Sequence, residues 1–260
     1  MEKTNSIYEL LQNRKKKGVK SLALLLDPDD ISLEAATALA KEAQAQGVDF
    51  LLVGGSLIFN QEVENLIRTL KKAASLPVLL FPSQAWQISG QADAILFLSL
   101  LSSRNAELLI GQQVVAAPLL KNLEKKEALE IISTAYLLIF CGNLTTATYM
   151  SQALPIPYEK DSVALATALA GELLGFKMVY LDGGSGAARP ISPSMIQAVA
   201  TQVGIPIWVG GGIRTAQDLR AAYQAGADVA VVGTSVEENP ALLGLFTEAK
   251  NSYNAFPQTP

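Results

Sequence analysis

Eight short apolar runs recur along the chain, at 21–26, 50–53, 77–81, 94–98, 136–140, 178–181, 205–209 and 229–232. Each is apolar on both faces, which suits a strand buried on both sides of a parallel sheet. Helix-compatible stretches alternate with them at 32–46, 60–74, 105–116 with another after Leu123, 162–174, 193–203, 215–225 and 239–250. Asp161 or Ser162 is the expected cap of the fourth of these. The connection 82–93 is the exception, too short and too broken for a packing helix. Eight strand-then-helix units in about 230 residues specify a (β/α)8 TIM barrel, with one short non-helical connection between strands 3 and 4. A doubly wound sheet usually has fewer strands and a different Gly-rich first turn.

A chain of 260 residues fits one such domain, spanning 1–260, with a loosely ordered tail expected at 251–260. A helix is expected at 6–17, before the first strand. Its basic end, Arg14 to Lys17, reads as a structural complement to the helix dipole. The net charge of -4 argues against a nucleic-acid partner, which calls for a basic face. Cys141 is the one cysteine, so a disulfide framework is excluded and a reducing compartment is expected. It reads as a small buried residue rather than a nucleophile. The polar N-terminus and the lack of a membrane-length apolar run make the expected location cytoplasmic.

There is no histidine. Acid–base work therefore falls to Asp, Glu, Tyr, Lys or water. A metal site would use oxygen ligands, which points to Mg2+ rather than zinc.

Three strand ends carry glycine-rich junctions: Tyr180-Leu-Asp-Gly-Gly-Ser-Gly186, Gly210-Gly-Gly-Ile-Arg214 and Val232-Gly-Thr-Ser235. Glycine lets a ligand approach the main chain closely, and exposed amides bind phosphate oxygens. Barrel active sites lie at the C-terminal strand ends, with phosphate near strands 7 and 8. Gly211, Gly212, Gly233 and Thr234 fall there. Asp27, Ser56, Tyr180, Asp182 and Ser185 share that rim, after strands 1, 2 and 6. Asp27 supports two readings: a turn or helix cap, or a metal ligand with Ser56 as second oxygen. Asp29 and Asp30 read as first-turn acids of the following helix. Asp182 either braces its loop or deprotonates a hydroxyl. Tyr180, two residues earlier on the same face, either orients a substrate hydroxyl or fills the barrel. Arg214 reads as a surface residue rather than a phosphate ligand.

The ordered set Leu26-Asp-Pro-Asp29, Val53-Gly-Gly-Ser56, Tyr180-Leu-Asp-Gly-Gly-Ser-Gly-Ala187, Val209-Gly-Gly-Gly-Ile-Arg214 and Val232-Gly-Thr234 resembles the geranylgeranylglyceryl phosphate synthase family. That family includes bacterial relatives that make heptaprenylglyceryl phosphate. The resemblance runs from about residue 19 to 240 and implies a Mg2+-dependent prenyltransferase of lipid biosynthesis. The 3-hydroxyl of sn-glycerol 1-phosphate would attack a polyprenyl diphosphate, with geranylgeranyl the expected donor, and diphosphate would leave. It implies Asp27 and Ser56 as metal ligands. It implies Tyr180, Leu181, Asp182, Gly183, Gly184, Ser185, Gly186, Gly211, Gly212, Gly233 and Thr234 as the glycerol-phosphate site. Asp182, with Tyr180, would be catalytic. A homo-oligomer, dimer or hexamer, and peripheral membrane contact are expected with it.

The chain departs from the family at named positions. Asp182 stands where the family usually has Glu, and Phe140-Cys-Gly-Asn143 replaces an Asp-Gly-Gly-Arg-like turn after strand five. Gln113 stands where His is frequent, and Ser83 where Gly is. The altered base and strand-five turn keep a non-catalytic glycerol-phosphate or prenyl-phosphate binding barrel in view, and the acids Asp27 and Asp182 on different strands keep open a phosphosugar isomerase or phosphate-binding synthase on the same fold.

Overall fold

The computed structural model describes residues 6–59, 62–84 and 87–255. The polar residues 1–5, the start of the helix expected from 60, and the end of the tail at 256–260 lie outside the described residues.

Eight parallel strands close into a barrel among the described residues. They are β1 (Ser21–Leu26), β2 (Phe50–Val53), β3 (Val78–Leu80), β4 (Ala94–Leu100), β5 (Glu130–Phe140), β6 (Met178–Asp182), β7 (Ile207–Gly210) and β8 (Val229–Val232). Each pairs with its neighbours in sequence, and β1 pairs with β8 to close the ring. Helices return the chain between strands. They are α2 (Leu33–Gln46), α3 (Val63–Ala73), α4 (Gln112–Glu127), α6 (Asp161–Leu173), α7 (Pro193–Ala200), α8 (Ala216–Gln224) and α10 (Leu242–Ala255). Two short helices, α5 (Thr146–Ser151) and α9 (Thr234–Glu238), lie at the rim. None of these helices is long and apolar enough to cross a membrane.

Alternation along each strand divides the core into two layers. Ala23, Phe50, Leu52, Leu79, Leu96, Tyr180, Trp208 and Val231 fill the barrel. Leu22, Leu24, Leu51, Val53, Ile95, Val179, Leu181 and Val209 pack outward against the helices.

Helix α1 (Ile7–Lys16) closes the N-terminal end, with Ile7 and Leu11 joining the interior layer. The Glu130 carboxylate accepts from Ile7 N (2.7 Å), Tyr8 N (3.0 Å) and Ser6 Oγ (2.6 Å). A carboxylate at a helix N-terminus satisfies unpaired amides and opposes the dipole favourably. At the other end Arg14 pairs with Asp49 at 2.6 Å and Lys15 with Asp228 at 2.9 Å. The basic run is thus structural in its first two members, and it clamps the helix across the barrel.

Several boundaries differ from the sequence expectation. The run 136–140 is the upper half of an eleven-residue strand. Its lower half interrupts the apolar pattern with Glu130, Ser133 and Thr134, and it pairs with β4 from Ala94↔Glu130 to Leu100↔Tyr136. The two helical stretches expected near 105–116 and after Leu123 are one run. A π-turn (Glu107–Gly111) leads directly into α4, which continues through Pro118. The bond that proline removes falls on Val114, in a turn where Val114 and Val115 are both exposed and solvent can replace it. Helix α6 begins at Asp161 after Lys160 and has no side-chain cap bond, so neither Asp161 nor Ser162 caps it. Residues 251–255 belong to α10 rather than to a loose tail, because Tyr253 packs on Tyr223 and Asn254 bonds both backbone groups of Lys20.

Leu11 is fully enclosed at the base of the barrel. Leu11→Ala should lower the unfolding free energy by about 2–5 kcal/mol, the range for emptying a buried leucine site. Urea denaturation measures this; an unchanged midpoint would mean that the helix does not seal the barrel.

Candidate active site

A cavity of about 420 Å³ lies at the C-terminal rim, and all eight strand ends contribute to its wall. Asp27, Ser56, Tyr180, Asp182, Gly184, Ser185, Gly186, Gly211, Gly212, Gly233 and Thr234 all line it. Two residues expected in the site do not. Leu181 points outward into the helix-facing layer, as alternation between Tyr180 and Asp182 requires. Gly183 packs on Cys141, where a Cβ would meet Sγ at 3.1 Å.

Close main-chain approach explains Gly211 and Gly212 at the polar end. Gly211 has φ +83°, and a side chain there would meet the Gly183 backbone at 2.8 Å. The β6 and β7 loops are therefore packed backbone to backbone. Ser185 and Thr234 hydroxyls lie 3.1 Å apart, joining the β6 loop to the start of α9. Ser235 beside them is buried, and its hydroxyl has no partner among the described residues. Arg214 is exposed yet lines the cavity, with Nη1 donating to Ala188 O at 3.2 Å.

Asp182 is 6% exposed. Its Oδ2 accepts from the Tyr136 hydroxyl at 2.6 Å and its Oδ1 from Gly184 N at 2.8 Å. Burial raises its pKa above the usual aspartate value, and the two donors oppose that shift. Tyr136 and Tyr180 are both pushed well above the usual phenol value, mainly by burial and further by the Asp182 charge. They remain neutral hydroxyls. Tyr180 stacks on Phe81 (centroids 5.1 Å apart) and meets Tyr136 edge-on at 5.8 Å. Tyr180 fills the barrel, and its ring forms part of the cavity wall. Cys141 is buried, with its thiol pushed up to about 12, which leaves it a packing residue.

Asp27 braces its turn and lines the cavity. Oδ1 accepts from Asp29 N at 3.0 Å, a turn-bracing bond. Oδ2 lies against Gly55, where a Cβ would sit 2.1 Å away. Asp29 and Asp30 are not first-turn acids of α2, which starts at Leu33 after its Ser32 cap. Asp29 instead accepts from Phe59 N at 2.6 Å, and Asp30 lines the cavity. Glu237 of α9 lines it as well, its pKa raised by burial and then by the charges of Asp30 and Asp27. No group of three or more Asp, Glu, Cys or His residues set to hold a metal occurs among the described residues.

The remainder of the cavity is mostly apolar, with Ser83, Gln84, Gln112, Gln113 and Ser151 also in its wall. Inward-facing Leu96 and Leu98 line it, and so do outward-facing Ile95 and Phe97 with Ala116 and Leu120 of α4. The space thus continues from the rim down the outer side of β4. The connection 82–93 lays no α-helix there among its described residues, and that leaves the groove open. The π-turn borders it through Leu108. Ser99 Oγ and Gln113 Nε2 hold the Leu109 and Leu108 carbonyls of that turn at 2.7 and 3.3 Å.

Sequence reasoning missed Tyr136 and Glu237. Tyr136 was legible as a polar aromatic on an apolar strand, and it pairs in register with Tyr180. Glu237 belongs to a five-residue helix that no periodicity could announce.

The PcrB family model matches residues 13–250. Geranylgeranylglyceryl phosphate synthase of Chitinophaga pinensis is 46% identical over 245 residues, 94% of this chain and 96% of that protein. The Thermoplasma acidophilum structure of (S)-3-O-geranylgeranylglyceryl phosphate synthase in complex with sn-glycerol-1-phosphate superposes with a TM-score of 0.88 at 33% identity. It covers 95% of this chain and 99% of its own. The wild-type enzyme from Thermoplasma volcanium gives 0.86 at 34%, over 95% and 98%.

Tyr136→Phe removes the donor that opposes the burial of Asp182. The Asp182 carboxyl should then titrate at higher pH, read by carboxyl carbon NMR on aspartate-labelled protein. An unmoved midpoint would contradict the assigned bond.

Proposed function

The chain belongs to the PcrB family as a prenyltransferase of the geranylgeranylglyceryl phosphate synthase kind, and from that premise we propose that it links sn-glycerol 1-phosphate to a polyprenyl diphosphate. The observation that carries this reading is one continuous cavity with two chemistries. A glycine-lined polar end holds a buried carboxylate, and an apolar groove leads away along β4. Glycerol phosphate suits the first and a prenyl chain the second.

The phosphate belongs among Ser185, Gly211, Gly212, Gly233 and Thr234, where the unpaired Ser235 hydroxyl gains an acceptor. The glycerol 3-hydroxyl faces Asp182. As its oxygen bonds to C1 of the prenyl donor, its proton passes to the Asp182 carboxylate. The C1–oxygen bond to diphosphate breaks, and diphosphate leaves with the bonding electrons. The raised pKa of Asp182 makes it a stronger base than a solvated aspartate. Tyr136 and Gly184 hold its two oxygens in place.

Charge balance supports a cation. The described cavity wall carries four carboxylates (Asp27, Asp30, Asp182 and Glu237) against one guanidinium, Arg214. A diphosphate would be repelled there without a counter-ion. Asp27 Oδ2 and the Ser56 hydroxyl would hold Mg2+, an oxygen pair of the kind that ion accepts when phosphates and water complete its shell. Bound Mg2+ would neutralise the leaving diphosphate.

The direct test mixes protein, Mg2+, labelled sn-glycerol 1-phosphate and a C20 prenyl diphosphate, then extracts lipid. Label should enter the organic phase, and sn-glycerol 3-phosphate should be a poor substitute. Absence of label, or equal use of both isomers, would overturn the reading. Asp27→Ala should cost roughly a hundredfold or more in turnover while leaving glycerol phosphate affinity nearly intact. Equal loss of both would remove Asp27 from the diphosphate side.

A further inference from the structure

The turn after β5 departs from the family pattern, and it lies against the β6 loop that carries the polar end of the cavity. Asn143 Nδ2 donates to Gly186 O at 3.0 Å, and its Oδ1 accepts from Ala188 N at 2.8 Å. One amide side chain therefore spans the loop on both sides of Ala187. Neighbouring contacts extend the seam. Arg189 N donates to Cys141 O at 3.2 Å. Gly184, with φ +82°, lies so close to Thr145 that a Cβ would meet Oγ1 at 2.5 Å. Gly142 adopts φ +101°, which brings Asn143 round to face the loop.

Asn143 faces solvent and lines no part of the cavity, so it does not touch a ligand there. The loop it holds does: Gly184, Ser185 and Gly186 form the wall, and Ser185 reaches Thr234 across it. We propose that Asn143 is a positioning residue. It straps the β6 loop into its phosphate-receiving shape before substrate arrives, so the altered strand-five turn preorganises glycerol phosphate binding. A glycine-rich loop is costly to order on binding, and a strap made in advance reduces that cost. Asparagine suits this role because it presents a donor and an acceptor side by side. This role rests on the glycerol-phosphate reading of the polar end.

Asn143→Ala and Asn143→Asp test it. Asp keeps an acceptor for Ala188 N and loses the donor to Gly186 O. In the substrate-free protein, amide hydrogen exchange at Ala188 and its loop neighbours should accelerate roughly tenfold in the alanine variant, the scale of two modest hydrogen bonds. The apparent KM for sn-glycerol 1-phosphate should rise by about tenfold. The KM for prenyl diphosphate should stay within about twofold, since the β4 groove lies apart from that loop. Asn143→Asp should fall between the two. Unchanged exchange, or an equal rise in both KM values with a lowered melting temperature, would overturn the strap. If the wild-type protein binds no sn-glycerol 1-phosphate, the functional reading fails separately, and the exchange measurement still decides whether the loop is held by Asn143.

Discussion

A strand inside a closed parallel barrel has no solvent-facing side. One face must fill the barrel and the other must pack under the helices, so every second residue is committed inward. This constraint places Tyr180 and Asp182 together and turns Leu181 away from them. It also brings Tyr136 beside Tyr180, because the register of β5 on β6 sets the two level. Asp182 is thereby withdrawn from water into contact with a phenol that stays protonated. Burial strengthens it as a base, and the Tyr136 and Gly184 donors keep it ionisable.

The second determinant is a gap. Between β3 and β4 the chain returns without a packing helix among its described residues, and the outer face of β4 remains uncovered except by α4. In most barrels such a groove would be a defect in the outer core. Here it extends a polar rim site into an apolar channel, which suits the proposed reaction between a small phosphate and a long hydrocarbon. Under that proposal the acidic wall around Asp27 calls for a cation between its carboxylates and the diphosphate.

Much of this was legible in the sequence because the signals were periodic or compositional. Eight apolar runs, with the broken 82–93 connection between the third and fourth, mark the barrel, and the three glycine junctions mark the polar rim. Other features escaped for physical reasons. The lower half of β5 mixes Glu130, Ser133 and Thr134 with the buried Ile132 and Ala135, so no continuous apolar run marks it. The helical run through Pro118 survives because the lost bond falls in an exposed turn. Helix α9 is too short for any periodicity, and it hid Glu237. The expected roles of Leu181 and Gly183 came from their membership in a contiguous motif, whereas the fold uses one for the outer core and the other for packing on Cys141. Asn143 looked like damage to a motif; only the folded chain shows that its amide bonds the neighbouring loop.

The central claim is that the polar rim and the β4 groove form one two-substrate site. A crystal structure with sn-glycerol 1-phosphate, Mg2+ and an unreactive prenyl diphosphate analogue bound together tests it most directly. The predicted result has the glycerol 3-hydroxyl within hydrogen-bond reach of Asp182, about 2.6–3.2 Å. The diphosphate would lie over Asp27 and Ser56, with the prenyl chain along Ile95, Phe97 and Leu120. A prenyl chain directed elsewhere, or a glycerol hydroxyl turned away from Asp182, would contradict the account.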